Sequence, residues 1–422
     1  METDYNEIDE GTDYVGYREA FDLIVSNVGP VGTEEISLDS CTGRIAAEDL
    51  KAFISYPSTD VSLKDGFAVK SGDVAAASYR QPVRLEVIGS VFAGSKFEGE
   101  VRNGKAVKVC SGAPIPAGAD AVVSGEFCEE LSPEEVSIRA DAEPGRNILR
   151  AGGEIKAGAT IVGKGGRLLP GYQGLAAAAG ISRVNVYRRP KVAVMGVGDE
   201  VVAPGERLNI GQLYASNLVT MAAWLDSFDI PCATSVVRDN EADIEQKLRS
   251  HLPGADAILT SGGAWGSERD LVIGTLDNIG WHEIFHHVRM GPGKGIAFGI
   301  WEDTPVFCLP GGPASNEMAF LQLALPGLLR MGGDNRHPLP NVFARLSEDL
   351  ESRHRAWTEF KDATLSRDAG GNYTVELYRN RSRLQAIASA NSLVCIPEGT
   401  ECLKAGEIVP VQVLMPRLEE TV

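Results

Sequence analysis

The chain has 422 residues, 43% of them hydrophobic, and 40 basic against 58 acidic side chains give a formal net charge of −18. At roughly 100–200 residues per domain, that length predicts three or four domains. So acidic a chain argues against nucleic acid or an anionic membrane as its main partner. An anionic substrate would need a local basic pocket set against the global field.

In chain order, the first segment is a solvated acidic tail over residues 1–13, with Glu2, Asp4, Glu7, Asp9, Glu10 and Asp13 and no base. Residues 16–28 place apolar side chains at helical spacing and stop at Gly29-Pro30. From 53 to 147 the pattern changes to short apolar runs between Gly, Pro and Asp, which is β-rich without a convincing helix. Residues 148–187 are glycine-heavy and then apolar around 175–181, a helical return. The expected architecture is a β-rich domain (53–147) inserted into a discontinuous helical and extended domain (14–52 plus 148–187).

Residues 188–335 alternate strand and helix. Strands are expected at 191–195, 232–237 and 257–260, and helices at 216–228, 240–252, 269–279 and 315–329, with Ser216, Asp239 and Ser315 as caps. Strands separated by helices of 10–15 residues make right-handed βαβ units and a doubly wound α/β domain. Pro338-Leu339-Pro340 marks a linker, and the remaining segment, 336–422, reads as a small β-barrel or sandwich. The seven cysteines are scattered and include no Cys-x-x-Cys pair, so neither a zinc knuckle nor a disulfide framework is indicated. The chain start is not signal-like, and no apolar run nears the ~18 residues of a membrane span. A cytoplasmic protein is expected.

Two glycine loops carry the chemistry. The apolar run into Thr260-Ser261-Gly262-Gly263, and the run 304–309 into Pro310-Gly311-Gly312-Pro313-Ala314-Ser315, read as parallel strands delivering main-chain N–H groups to a ligand. Without a Cβ, the backbone can approach an anion closely. Ser261, Gly262, Gly263, Gly311, Gly312 and Ser315 are therefore candidate phosphate-binding positions. Trp265 either covers a flat heterocycle or caps the core.

Gly196-Val197-Gly198-Asp199-Glu200 is not a dinucleotide fingerprint, because Val201 stands where the third glycine is needed. Its two carboxylates either ligate Mg²⁺, which prefers oxygen, or simply occupy a solvated turn. The Walker-like runs 99–105 and 158–164 lack the Ser/Thr after lysine and are not P-loops. Lys294, on Gly291-Pro292-Gly293-Lys294, is a candidate oxyanion clamp, its ammonium a mobile point charge with three donors. His282-Glu283-Ile284-Phe285-His286 matches a zincin motif only in letters. Between Gly280 and Gly291 there is room for a strand, not the helix that chemistry requires.

Several of these motifs fall into one collinear order. Residues 62–69 (Ser-Leu-Lys-Asp-Gly-Phe-Ala-Val), 111–122, Gly198-Asp199-Glu200-Val201, 211–217, the Ser-Gly-Gly loop, Pro292-Gly293-Lys294 and Leu309-Pro310-Gly311-Gly312-Pro313 resemble the molybdopterin molybdenumtransferases, MoeA and the gephyrin E domain. The resemblance runs from about residue 16 to 416. It implies a homodimer of four domains per chain, with a molybdopterin-binding α/β domain third and a β-barrel last. The implied reaction inserts molybdate, or tungstate, into adenylated molybdopterin with Mg²⁺-assisted hydrolysis that releases AMP. Carried over by position, Asp65, Glu154, Glu200, Asp270 and Lys294 become catalytic candidates, and Asp199, Glu200 and Asp270 metal ligands. An upstream adenylyltransferase and downstream molybdoenzymes are implied partners.

The departures are Ala215 for an acid, Gly291 for a second lysine, and Gly295 and Gly312 for Pro and Asn. Ala264-Trp265-Gly266-Ser267 and Asn380-Arg381-Ser382 also depart from the usual sequences. They leave two alternatives. One is a pterin-binding carrier or scaffold without insertion chemistry. The other is a pterin adenylyltransferase, whose loop Gly262-Gly263…Arg269-Asp270 partly echoes.

Overall fold

A computed structural model of the chain describes residues 14–263, 271–378 and 382–414. They form two compact units, Glu35–Val186 and the sequence on either side of it. The acidic tail, Trp265 and Asp270 lie outside the described residues.

In the unit Glu35–Val186, a six-stranded sheet runs in the order Ala121–Ser124, Gly66–Val69, Lys105–Val109, Val83–Val91, Glu135–Ile138, Cys128–Ser132. Phe67, Leu85, Ala106, Val123 and Val136 close its core. A separate core is assembled from both flanks, by Leu38, Cys41 and Ala46 with Ile161, Leu168, Ala176 and Val186. The β-rich insertion into a discontinuous body is thus realised from residue 35 onward, whereas helix Tyr17–Asn27, expected in that body, falls in the other unit. Its helix is Pro170–Ala178, starting at a proline in the first helical position, where a missing N–H breaks no bond.

The other unit holds a six-stranded sheet in the order Cys232–Val237, Val192–Val197, Ala257–Ser261, Thr304–Leu309, Ala297–Trp301, His282–His286. The first four strands are parallel, and Ala297–Trp301 runs antiparallel to both of its neighbours. His282–His286 is the strand its flanking glycines predict. Helix Tyr17–Asn27 packs here, burying Ala20 and Ile24 in one core with Val194, Phe307 and Leu325. Gly327 permits that approach, since a Cβ there would stand 2.8 Å from Ile24 Cγ2.

Three caps differ from expectation. Ser216 is the first residue of helix Ser216–Ser227, whose cap, Ala215, makes no side-chain bond. Asn240, not Asp239, caps Glu241–His251, its Oδ1 accepting from Asp243 N at 2.9 Å. The third helix starts at Pro313 with Gly312 as its cap, so Ser315 lies within the first turn. Proline has no N–H to lose and fixes a helical φ, so it outcompetes Ser315 as the starting point.

Beyond the linker, Asn341–Leu346, Thr358–Arg367, Tyr373–Leu377, Ser392–Ile396 and Ile408–Val413 form a barrel that closes through pairing of Thr358–Arg367 with Ser392–Ile396. Alternate residues Ala363 and Leu365, Val394 and Ile396, and Val409 and Val411 fill its interior. A helix at Arg383–Ser389, unforeseen from the sequence, interrupts it, with the Ser382 side chain as cap. Strand Val288–Gly291 adds to the barrel in parallel, pairing Met290 with Thr358 and Gly291 with Glu359. That pairing carries the Gly291–Lys294 turn to the barrel's edge. Among the described residues no helix is long and apolar enough to cross a membrane.

Candidate functional site

The order of the α/β sheet reverses at Val192–Val197, whose neighbours on either side are the next two strands of this sheet in chain order. A doubly wound sheet opens a ligand crevice at the carboxyl ends of strands at such a point. The two glycine loops meet here. Gly262 N donates to Leu309 O at 3.1 Å, and a Cβ on Gly311 would lie 3.5 Å from Gly262 Cα. Gly262 has φ +94°, and a Cβ on it would stand 2.6 Å from the Val197 carbonyl oxygen. Gly263, at φ +70°, would put its Cβ 2.6 Å from Val272 Cγ2. Both positions require glycine sterically.

Polar groups tie the loops together. Asn217 Nδ2 donates to Ser261 Oγ at 3.0 Å and to Gly311 O at 2.8 Å. Asn316 Nδ2 does the same to Ser261 Oγ at 3.0 Å and to Pro310 O at 2.9 Å. Asn217 is brought in by a parallel pairing of Val201–Val202 with Leu213–Tyr214. Sequence reasoning gave neither asparagine a role. Gly312 leaves the loop without the carboxamide that the resemblance expects there, and Asn316 brings one from the helix that follows.

Asp199 and Glu200 follow Val197 after the single residue Gly198, and both are exposed. Asp199 Oδ1 accepts from Asp239 N at 3.2 Å, while the Glu200 carboxylate folds back over Gly198. They are hard oxygen donors of the kind Mg²⁺ takes. The third expected ligand, Asp270, lies outside the described residues, and among the described residues no cluster of three or more His, Cys, Asp or Glu is arranged to hold a metal ion.

A second cluster surrounds Lys294. A cavity of about 710 Å³ is lined by the Gly291–Lys294 turn, Ala314 and Ser315, the loop bearing Arg353, His354 and Trp357, and by Lys361, Asp362 and Arg383. It is rich in cations despite the chain's net charge of −18. Glu359 organises its wall while only 3% exposed. Its Oε1 accepts from Ser352 Oγ at 3.0 Å, Arg353 N at 2.6 Å and His354 N at 2.9 Å, and Lys361 Nζ sits 2.6 Å from Oε2. Burial opposes ionisation of Glu359, but Lys361 and these hydrogen bonds hold its carboxyl below the usual range. Burial lowers the Lys294 ammonium and raises the Asp362 carboxyl. Lys294 Nζ lies 5.8 Å from the Trp357 ring centroid.

Arg383 connects the clusters, since a Cβ on Gly312 would come within 3.9 Å of its Nη1. The turn that carries Gly291 in place of a second lysine therefore faces basic side chains from the barrel. Arg353, Lys361 and Arg383 belong to no motif, and nothing local in the sequence marks them. Next to Ser315, Glu317 is buried and accepts from Trp224 Nε1 at 2.9 Å. Burial pushes its carboxyl up to about 7.

The remaining candidates lie in the unit Glu35–Val186. Asp65 Oδ1 accepts from Ser111 N at 2.7 Å at the edge of a pocket of about 280 Å³ that also includes Lys108, Cys110 and Glu130. The glycine after it is compulsory, because a Cβ on Gly66 would overlap the Val123 carbonyl oxygen at 2.0 Å. Glu154 is exposed, with its N–H bonded to Tyr56 O at 3.1 Å. The turn before it is held by Asp60, which accepts from Arg150 Nη1 at 2.6 Å and Ala151 N at 2.8 Å.

A doubly wound sheet with paired glycine loops at its switch point, joined to a barrel that supplies cations, defines an α/β protein built to hold an anionic ligand. Comparison with known proteins makes the class specific. Residues 15–180 match the MoeA N-terminal region (domain I and II), 193–330 the "Probable molybdopterin binding domain", and 344–414 the MoeA C-terminal region (domain IV). A molybdopterin molybdenumtransferase of Haemophilus influenzae is 30% identical over 386 residues, covering 91% of this chain and 94% of the relative. Molybdopterin molybdenumtransferase 2 of Mycobacterium tuberculosis is 33% identical over 379 residues, covering 88% and 92%. The crystal structure of a molybdopterin biosynthesis MoeA protein from Pyrococcus horikoshii OT3 aligns with a TM-score of 0.81 at 27% identity, over 95% of this chain and all of that one. The chain belongs to the molybdopterin molybdenumtransferase (MoeA) family.

Proposed function

We propose that this protein inserts molybdate, or tungstate, into the dithiolate of adenylated molybdopterin, with hydrolysis that releases AMP. At the coarser level it is a transferase of molybdenum cofactor biosynthesis. The observation that carries the finer reading is the cavity lined by Lys294, Arg353, Lys361 and Arg383 in a chain of net charge −18. Oxyanions are drawn to such a local field, and partial burial strengthens each charge–charge contact.

In this reading Lys294 and the barrel cations hold the oxyanion. Main-chain N–H groups of Gly263 and of the Gly311–Gly312 loop hold the nucleotide phosphate, Gly262 N–H being taken by Leu309 O. Asp199 and Glu200, with Asp270, would hold Mg²⁺, which supplies charge neutralisation at the phosphate when bound. Asp65 and Glu154 orient the attacking water, as the resemblance implies. The four-domain partition (14–52 with 148–187, 53–147, 188–335, 336–422), a homodimeric assembly and a cytoplasmic location belong to the same reading.

The test incubates the purified protein with adenylated molybdopterin, Mg²⁺ and either oxyanion, measuring AMP release and bound metal. Release of AMP together with metal incorporation is expected. Tight pterin binding with neither would turn the assignment into that of a carrier, and ATP-dependent adenylation by the protein alone would make it an adenylyltransferase. Light scattering checks the dimer.

A further inference from the structure

Asp362 lies mid-strand in Thr358–Arg367 and lines the Lys294 cavity. Its carbonyl accepts from Tyr378 N at 2.9 Å. Its carboxyl has no such partner: among the described residues no hydrogen bond or ion pair reaches it. The cations of the same wall, Lys294, Arg353, Lys361 and Arg383, all stay beyond ion-pair distance of it, and Lys361 is held by Glu359 at 2.6 Å. A half-buried carboxyl without a donor calls for a reason. Burial lets it keep its proton to higher pH than an ordinary aspartate. Glu317, in helix Pro313–Ala319, is pushed up to about 7, by burial first and by the Asp362 charge in addition. Glu317 is engaged by Trp224 and Glu359 by four donors, which leaves Asp362 as the acid of this wall without a partner.

We propose that Asp362 is the general acid of metal insertion, giving a proton to the oxygen that leaves the oxyanion when a pterin sulfur replaces it. The assignment rests on the insertion reading above and deepens it. A proton source is needed because oxide cannot leave, whereas water can. In this step one metal–oxygen bond breaks and one metal–sulfur bond forms. The departing oxygen takes one proton from the thiol and one from Asp362 and leaves as water, with no change in the metal's oxidation state. The dianionic oxyanion becomes a monoanionic sulfur adduct, and the other negative charge passes to the Asp362 carboxylate. That carboxylate stands in the field of the cavity's cations and regains its proton from solvent.

The test compares the full-length wild type with Asp362→Asn, which keeps the size and polarity of the side chain but carries no acidic proton. Molybdate affinity, read by calorimetry without pterin, should be retained. Single-turnover insertion into adenylated molybdopterin at saturating molybdate should slow about a hundred- to ten-thousandfold, the usual worth of a positioned acid. The wild-type rate should be level at low pH and fall as pH rises through the Asp362 titration, because the acid works only while protonated. Asp362→Asn should lack this break; a break that persists belongs to His354 or Glu317 and overturns the assignment. Asp362→Glu restores an acid and should recover rate, and equal rates for the Glu and Asn variants contradict the role. Asp362→Ser replaces Asp362→Asn if that variant fails to fold. Lost molybdate affinity with an unchanged saturating rate, or equal rates in wild type and Asp362→Asn, overturns this assignment alone. Wild-type protein that binds molybdate and inserts none overturns the insertion reading and this assignment together.

Discussion

Gly262→Ala tests whether the glycine loop is sterically required. At φ +94° an L-residue is held in a sparsely populated region, and the new methyl would stand 2.6 Å from the Val197 carbonyl oxygen. The strain costs about 1–3 kcal/mol, and forcing a methyl into an occupied space costs about another 1–3 kcal/mol. The neighbour is backbone of a central strand, paired on both edges, and cannot swing aside as a side chain can. A loss of about 2–6 kcal/mol in urea denaturation is therefore expected. Gly311→Ala is the control, because its Cβ would meet Gly262 Cα at 3.5 Å, an ordinary contact, and φ is not positive. It should stay within about 1 kcal/mol of wild type. Equal stability of Gly262→Ala and wild type, or equal losses in both variants, would refute the reasoning.

Three further outcomes follow from the same geometry. Lys294→Ala should weaken molybdate binding and reduce its salt sensitivity, read by calorimetry at two ionic strengths; unchanged binding removes Lys294 from the site. Glu359→Ala deletes the acceptor for four hydrogen bonds and leaves the Lys361 ammonium, 25% exposed, without its carboxylate. Breaking so buried a pair costs about 3–5 kcal/mol, and oxyanion affinity should fall with it as the Arg353–His354 loop slackens. Glu317 keeps its proton up to about pH 7 in the folded chain, against an ordinary value of 4.5. Folding is therefore penalised progressively as pH rises between those values and fully above 7. Glu317→Gln should match wild type near pH 4.5 and exceed it by about 3 kcal/mol at pH 8. Urea melts at both pH values check it, and a pH-independent difference would contradict the buried-acid assignment.

Local rules made much of this molecule legible from its sequence. Hydrophobic runs of strand length ending in glycine placed Ala257–Ser261 and Thr304–Leu309, because a buried parallel strand must be apolar throughout and its ligand loop must lack Cβ atoms. Flanking glycines set His282–His286 as a strand against its zincin-like lettering. Helix caps were less readable, since Pro313 and Asn240 won over neighbours with equally suitable side chains.

The sequence by itself determined the order of the elements and the glycine loops, which depend on periodicity and on conformations few residues can adopt. Only the tertiary structure decided which charges share a cavity. Lys294 lies far along the chain from Arg353, Lys361 and Arg383, and they meet only because Val288–Gly291 pairs with a barrel strand. The Ser261 hydroxyl likewise accepts from two asparagines separated by almost a hundred residues, and the carbonyls that orient them are placed only once the sheet has formed. Backbone conformation is a property of neighbours in sequence, whereas electrostatic and hydrogen-bond complementarity is a property of neighbours in space.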